Sequence, residues 1–287
     1  MLTKRTYKIN MPQMVLSGIS ENWLFKEIGD LHWSIICDGL GSDSHEMLDE
    51  LGNRLYATFV RVRIISNVNL QNFKENDTIN MTSESVRFGK SIYVSDVGII
   101  SDLKHIDASL MTTFTLREGS DNQKLTKSQP FNVKNNRIKN AETIPGFCKE
   151  SVLMRKNEKY KVSLINEDFS IVEDFIYENE YRINPFQDLN GVNLLYFASY
   201  PTISDYCESG YFNSSKSINN RWELGTSTIA RDIFYYANCN IDDSLIYRLH
   251  NFENIGEERV KLNSSLMRKS DGKKMAQIFS IKEFVKH

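Results

Sequence analysis

Residues 12–20, PQMVLSGIS, and residues 185–193, PFQDLNGVN, match each other without a gap at a separation of 173 positions (185 − 12). Both fit the pattern Pro-x-x-x-Leu-[Ser/Asn]-Gly-[Ile/Val]-[Ser/Asn], and an apolar, aromatic segment follows each. A small polar residue beside glycine, ahead of an apolar run, is typical of the start of a buried helix. The repetition predicts one fold used twice, with a groove where the copies meet.

The segments that follow each copy favour strands. Their β-branched and aromatic content predicts strands at residues 53–64, 78–88, 91–100, 109–116 and, in the second copy, 226–236. The second helix is expected over residues 194–207. A Gly-Lys turn lies 71 residues (89 − 18) after the shared glycine in one copy and 81 (272 − 191) in the other. This similar spacing supports a duplication.

A long helix followed by antiparallel strands, twice over, predicts an α+β protein with a double hot-dog fold, in which each curved sheet wraps around a central helix. Pairing the two sheets edge to edge would cover their open edges. We expect an N-terminal unit at residues 1–125, a polar basic linker at 126–165 and a C-terminal unit at 166–287. Residues 117–162 carry 11 Lys/Arg and 5 Asp/Glu, which fits either a solvated tether or a basic rim for a phosphorylated ligand or an acidic protein.

Composition narrows the function classes. A net charge of −2 argues against nucleic acid as a partner, because phosphate binding needs a basic face. No run approaches the ~20 apolar residues of a membrane span, and no signal peptide is evident. The four cysteines are scattered, which indicates free thiols in a reducing cytoplasm rather than a zinc site or disulfides. Common motifs of hydrolases, kinases, dehydrogenases and zinc proteases are missing from the sequence.

The densest cluster of polar and aromatic residues surrounds the first helix start. There, Ser20 is a candidate N-cap, and main-chain N–H groups at a helix start can bind an anion or a developing oxyanion. An ordinary capped helix is the alternative. The candidate substrate-binding residues of this region are Ser17, Gly18, Ile19, Ser20, Asn22, Trp23 and Trp33.

Four further residues could carry chemistry or serve structure. Tyr56, on a predicted strand, is either a packing residue or a nucleophile that nearby cations, such as Arg54, would have to activate. His32 is either a satisfied structural histidine or a catalytic group. Asp188 is a general base or a turn residue, and Asp232 is expected to pair with a basic neighbour or cap a turn.

At these positions the chain resembles the LnmK family, named after the acyltransferase/decarboxylase of leinamycin biosynthesis, a double hot-dog protein. The resemblance rests on residues 17–24, 29–33 and 54–61 in the first half and, in the second half, on residues 188–197 and 270–276. It implies that the chain decarboxylates methylmalonyl-CoA or malonyl-CoA and transfers the acyl group to the phosphopantetheine of an acyl carrier protein, as in polyketide biosynthesis. Tyr56 matches the family's implicated tyrosine.

This resemblance implies a mechanism without metal or bound cofactor. We expect N–H groups near residues 18–20 to stabilise the thioester enolate, an apolar pocket of Trp23, Trp33 and Phe59 to disfavour the carboxylate, and Tyr56, with His32, to act catalytically. The basic linker would contact CoA phosphates or the carrier protein. Tyr56 has no tyrosine counterpart in the second copy, which predicts one working site.

Two other functions stay open. One is a hot-dog thioesterase for acyl-CoA or acyl carrier protein, with Asp188 as base or nucleophile. The other is a non-catalytic hot-dog protein that binds a carrier protein. The oligomeric state is also open, with a homodimer as one alternative.

Overall fold

A 12-stranded sheet dominates the fold. The computed structural model describes residues 2–131, 133–157, 159–214 and 221–285. The first half contains β1 (Leu2–Lys8), α1 (Glu21–Leu40), β2 (Leu55–Ser66), β3 (Thr78–Phe88), β4 (Ile92–Ser101) and β5 (Lys104–Arg117). After α2 (Gly146–Lys156), the second half contains β6 (Tyr177–Arg182), α3 (Tyr200–Ser214), α4 (Trp222–Gly225), β7 (Thr226–Tyr235), β8 (Ser244–Ile255), β9 (Arg259–Arg268) and β10 (Lys274–Phe284).

Shorter pieces complete the chain. Two-stranded ribbons join Met14–Val15 to Gly18–Ile19 and Val162–Leu164 to Glu167–Phe169. The short strands Leu125–Lys127 and Lys139–Asn140 pair with β5 and β3. Single 3₁₀ turns lie at Met11–Gln13, Ser44–Glu46, Leu70–Asn72 and Phe197–Ser199.

The strand order reveals the duplication. The main sheet runs β1-β3-β4-β5-β2-β7-β10-β9-β8-β6, with every neighbouring pair antiparallel. Counted outwards from the β2–β7 seam, both halves follow the same order of strands, and each places its helix between its first and second strand in the chain. The predicted double hot-dog architecture is therefore confirmed.

Helix α1 forms because its sequence caps and buries it. The Ser20 side chain accepts a hydrogen bond from the Trp23 N–H at 3.2 Å, which satisfies a donor that the first turn leaves unpaired. Leu24, Ile28, Leu31 and Ile35, spaced three or four residues apart, have no exposed surface. Each such side chain contributes roughly 1.5–3 kcal/mol when buried against the sheet.

Helix α3 starts later than the sequence predicts. The expected start at Leu194 is wrong, because α3 begins at Tyr200 after a 3₁₀ turn. The Asn190 Oδ1 accepts from the N–H groups of Val192 and Leu194, and Asn193 has a left-handed φ of 66°. Side-chain acceptors thus hold the main chain in a turn where the first copy is already helical.

Helix α2 lies in the segment that the sequence suggests is a polar linker. Its Phe147, Cys148 and Met154 are buried, and Arg61 of β2 donates through Nη1 to the Phe147 carbonyl oxygen at 3.0 Å. At least this part of the segment is packed on the outer face of the sheet and is not a solvated tether. The boundaries at residues 125 and 165 stay predictions.

None of the helices in the described ranges has the length and apolar character that crossing a membrane requires.

Candidate functional site

The sheet opens at the seam between the two halves. Strands β2 and β7 pair only from Arg61↔Phe234 to Ile65↔Ala230. The pairing of β2 with β5 shifts register between Phe59 and Arg61, and a bulge of this kind bends a strand and increases its twist. Residues 55–60 of β2 therefore run alongside β5 but do not pair with β7.

A cavity of about 540 Å³ lies in this opening. Residues 55–60 line one side, and residues 190–197 and 235–238 of the second half contribute to the other. Gly29, Asp30, His32 and Trp33 of α1, and Ser151, Val152 and Arg155 of α2, also contribute to the wall. The groove expected where the copies meet is thus present. The second repeated stretch, residues 185–193, leads into this groove, and the first, residues 12–20, does not.

The first quoted stretch packs at the opposite end of the seam. There the Ser227 hydroxyl of β7 donates to the Ser17 carbonyl oxygen at 2.9 Å and accepts from the Gln71 N–H at 3.0 Å. Gly18 has a φ of 116°, and a Cβ on it would lie 2.3 Å from the Leu70 carbonyl oxygen. This end of the seam is filled by packed chain, which supports the prediction of a single working site.

The predicted substrate-binding residues divide accordingly. Trp33 lines the cavity, whereas Ser17, Gly18, Ile19, Ser20, Asn22 and Trp23 do not. The Asn22 Nδ2 donates to the Ala198 carbonyl oxygen at 2.8 Å, and Trp23 packs edge-on against Tyr7.

Distance along α1 explains this separation. The cavity meets α1 at residues 29–33, about 14–20 Å along the axis from Ser20 at 1.5 Å per residue. The N–H groups of the helix start therefore do not serve as an oxyanion hole in this cavity, and the mechanism expected from the sequence is corrected on this point.

His32 lies at the cavity wall but has both ring nitrogens engaged. Its Nδ1 lies 2.6 Å from the Ser95 hydroxyl and its Nε2 lies 2.8 Å from the Thr112 hydroxyl. Burial lowers the pKa of the imidazole to about 3, so the ring is neutral. The geometry gives His32 a role in tying α1 to the sheet and leaves no free nitrogen for the predicted catalysis.

Tyr56 lines the cavity beside two guanidinium groups. Arg117 Nη2 donates to the Tyr56 hydroxyl oxygen at 3.3 Å, and the guanidinium carbons of Arg117 and Arg54 lie 5.2 and 5.6 Å from the ring centroid. Arg117 also donates to the Val192 carbonyl oxygen at 2.8 Å, which joins Tyr56 to the second half. These cations stabilise negative charge that develops near the phenol oxygen.

The two candidate aspartates have structural partners. Asp188 is buried and accepts from the Tyr181 hydroxyl at 2.9 Å and the Asn184 N–H at 2.7 Å, and burial raises the pKa of its carboxyl group. It does not line the cavity. Asp232 forms the expected ion pair, with Arg61 at 2.6 Å, and both side chains are fully buried.

Several wall residues were not singled out from the sequence. On the outer side of β2 and β5, Thr58 and Thr115 hydrogen-bond to each other at 2.6 Å. Further polar additions include Thr113, Ser151, Asn190, Tyr236 and Asn238. Scattered hydroxyl and amide groups carry no sequence signal, because they become a set only when strands and helices bring them together.

Positive charge predominates among the ionisable wall residues. Arg54, Lys127, Arg155, Arg268 and Lys273 contribute cations. The acidic wall residue, Asp30, is paired with Arg5 at 2.6 Å. Lys127 and Arg155 belong to residues 117–162, whose excess of positive charge fits a basic rim for a ligand. Their position in the cavity wall supports that interpretation.

Solved structures with the same architecture include thioesterases. A Lactobacillus plantarum protein assigned as an oleoyl thioesterase aligns with a TM-score of 0.70 over 100% of this chain and 98% of that one, at 10% identity. The 12:0-ACP thioesterase of Umbellularia californica aligns with a TM-score of 0.65 over 99% and 94%, at 9% identity. The chain shares its double hot-dog fold with these proteins.

An acyl-ACP thioesterase of Bacteroides thetaiotaomicron aligns similarly, with a TM-score of 0.59 over 98% of both chains and 8% identity. Comparison of the sequence with protein-family models and with curated proteins finds no match. At these identities the structural likeness establishes the fold alone, and the resemblance to the LnmK family stays a prediction.

Proposed function

We propose that this protein is an enzyme that acts on an acyl thioester of CoA or of an acyl carrier protein, with the acyl group in the seam cavity. The observation that carries the proposal is the opening of the sheet between two hot-dog units. Acyl-ACP thioesterases have the same architecture, and this analogy supports a reaction on a thioester. Hydrolysis of the thioester is our first candidate.

The walls suit the two ends of such a substrate. Phe59 and Phe197 stack at 3.6 Å between ring centroids and, with Leu195, offer apolar surface to an acyl chain. The exposed cations Arg54, Lys127 and Lys273 suit the phosphate of a phosphopantetheine arm or an acidic carrier protein.

Tyr56 and Arg117 supply the chemistry in this proposal. The Tyr56 hydroxyl donates to the thioester carbonyl oxygen, which gains negative charge when water attacks the carbonyl carbon. Arg117 does not itself line the cavity and acts through Tyr56, because its Nη2 donates to the Tyr56 hydroxyl oxygen. The C–S bond then breaks, and the leaving thiolate takes up the proton that the attacking water loses. One donor of this kind is worth about 3 kcal/mol in the transition state.

A second candidate is decarboxylation of methylmalonyl-CoA or malonyl-CoA followed by acyl transfer to a carrier-protein thiol. One observation favours it: no carboxylate or imidazole in the described wall stands ready to activate water. Asp30 is bound by Arg5, His32 has two partners, and Asp188 lies off the wall. Loss of CO2 needs no base, since the C–C bonding electrons pass into the enolate that Tyr56 and Arg117 stabilise. The enolate carbon then takes the proton of the Tyr56 hydroxyl, the carrier thiol returns a proton to the phenolate, and its sulfur displaces CoA, which leaves as a thiolate.

Products distinguish the candidates. The protein is incubated with acyl-CoA substrates, methylmalonyl-CoA included, with and without a phosphopantetheinylated carrier. Hydrolysis releases free CoA and acid without carrier, whereas the second candidate gives CO2 and a carrier heavier by a propionyl group. Tyr56→Phe should lower either rate about 100-fold, while Tyr206→Phe, a control tyrosine that is 65% exposed and off the wall, should not. If no thioester is consumed, the proposal fails.

A further inference from the structure

Three hydroxyl groups in the cavity wall are buried without a hydrogen-bond partner among the described residues. They belong to Thr113 of β5, Ser151 of α2 and Tyr236, which directly follows β7. Thr113 and Ser151 are only 5% and 1% exposed. Elsewhere in the same wall, hydroxyls are satisfied, since Thr58 and Thr115 bind each other. Native proteins rarely leave such groups unpaired, so three that share one cavity point to a ligand.

The three hydroxyls lie on the outer face of the sheet, beneath α2. Along β5, Thr113 alternates with Thr112, which contacts His32 of the inner helix. On the same side as Thr113, Met111 packs with Phe147 of α2. Arg61 fixes α2 here through the Phe147 carbonyl oxygen and an ion pair with Glu150 at 2.9 Å. We call the part of the cavity that Thr113, Ser151 and Tyr236 line the hydroxyl chamber.

The surroundings of the hydroxyl chamber are apolar. Cavity-wall residues on this side include Val60, Ile92, Met111 and Val152. A hydroxyl among such neighbours gains from a partner that can both donate and accept, since each hydroxyl does both.

We propose that the hydroxyl chamber binds a neutral oxygen substituent of the acyl chain, so that the substrates are hydroxyacyl or oxoacyl thioesters. This inference rests on the proposed function and narrows its substrate class. A site built to hydrogen-bond a substrate oxygen rejects the analogue that lacks it, because its own buried groups are then left unpaired.

The groups that define the chamber are neutral hydroxyls, which favours a neutral oxygen substituent as the ligand. Arg155, a cation of the same cavity wall, donates through Nη2 to the Tyr235 carbonyl oxygen, and its guanidinium carbon lies 4.7 Å from the Tyr236 ring centroid. The Arg54 and Lys273 side chains are exposed, and Arg268 is bridged to Asp271. Burial raises the pKa of the Tyr236 phenol to about 12, so the chamber presents neutral hydroxyls. Because the described hydrogen-bond acceptors of Arg155 are main-chain carbonyl oxygens, a malonyl carboxylate is the charged competitor that the test has to include.

Binding of non-hydrolysable carba-CoA analogues tests the inference without turnover. We compare butyryl, 3-hydroxybutyryl, 3-oxobutyryl and malonyl analogues by calorimetry. The wild type should bind the hydroxy and oxo analogues at least about 10-fold more tightly than butyryl. Ser151→Ala, Thr113→Val and Tyr236→Phe should each reduce that ratio several-fold.

Ser204→Ala is the matched control. Ser204 is also a fully buried helix serine whose hydroxyl has no described partner, but it is not in the cavity wall, so its replacement should leave the ratio unchanged. Equal affinity for butyryl and the oxygenated analogues, or preference for malonyl, would overturn the inference and leave the proposed function standing. Binding of no analogue would overturn both.

Discussion

Replacing Asp232 with alanine should destabilise the protein strongly. Its carboxylate receives two hydrogen bonds from Arg61, at 2.9 and 2.6 Å, and neither side chain has exposed surface. Without Asp232, a buried guanidinium loses its closest anion, a change that typically costs 3–5 kcal/mol. Glu150 remains at 2.9 Å from Arg61, but its side chain is 36% exposed. Because this second pair is partly solvated, it offsets only part of the loss, and we expect about 3 kcal/mol.

Urea unfolding followed by circular dichroism measures this loss. The double variant Arg61→Met, Asp232→Leu removes both charges and should fall within about 1 kcal/mol of the wild type. The double variant also loses the contacts from Arg61 to Phe147 and Glu150 of α2, so it should still process substrate more slowly than the wild type. A loss below about 1 kcal/mol for Asp232→Ala alone would refute the idea that this pair holds the seam together.

Three further outcomes follow from other contacts. The folded-state pKa of His32, about 3, lies below its ordinary value of 6.5. The stabilisation that neutral His32 contributes is therefore full above pH 6.5 and falls by about 1.4 kcal/mol per pH unit as the pH drops towards 3. The free energy of unfolding of His32→Gln, measured against pH, should lack this dependence. Gly29→Ala places a Cβ 2.3 Å from the Phe197 ring, so turnover should drop at least several-fold while the fold, read by circular dichroism, is kept. Gly18→Ala, strained by φ and by the Leu70 carbonyl oxygen, should lower the thermal midpoint without altering affinity for substrate; an unchanged midpoint would contradict the packing at that end of the seam.

Strands and their order could be predicted from sequence because alternation reports which face is buried. The expected strand at residues 78–88 matches β3 at both ends, and Gly89 forms the turn with a φ of 63°. The start of α3 could not be predicted in the same way. There, the Asn190 side chain accepts hydrogen bonds from N–H groups that a helix would otherwise use. The local sequence pattern does not reveal which of the two hydrogen-bonding arrangements forms.

The site was harder to predict than the fold. The resemblance points to Tyr56, whereas no sequence signal points to its neighbour Arg117, 61 residues away in the chain. The first helix start looked suitable by its composition. The structure assigns that stretch to the closed end of the seam, since duplication gives two equivalent starts and only the three-dimensional packing decides which one borders a cavity.

The unequal ends of the seam have a consequence for how this architecture can change. In a symmetric dimer of identical subunits, every substitution appears at both ends, so neither can be altered alone. Fusion into one chain removes that constraint. The segment around Leu70 that packs against Gly18 is thus a site for engineering. Shortening it would expose Ser227 and neighbouring β7 residues. The same polypeptide would then have a second cavity whose shape can be changed independently of the first.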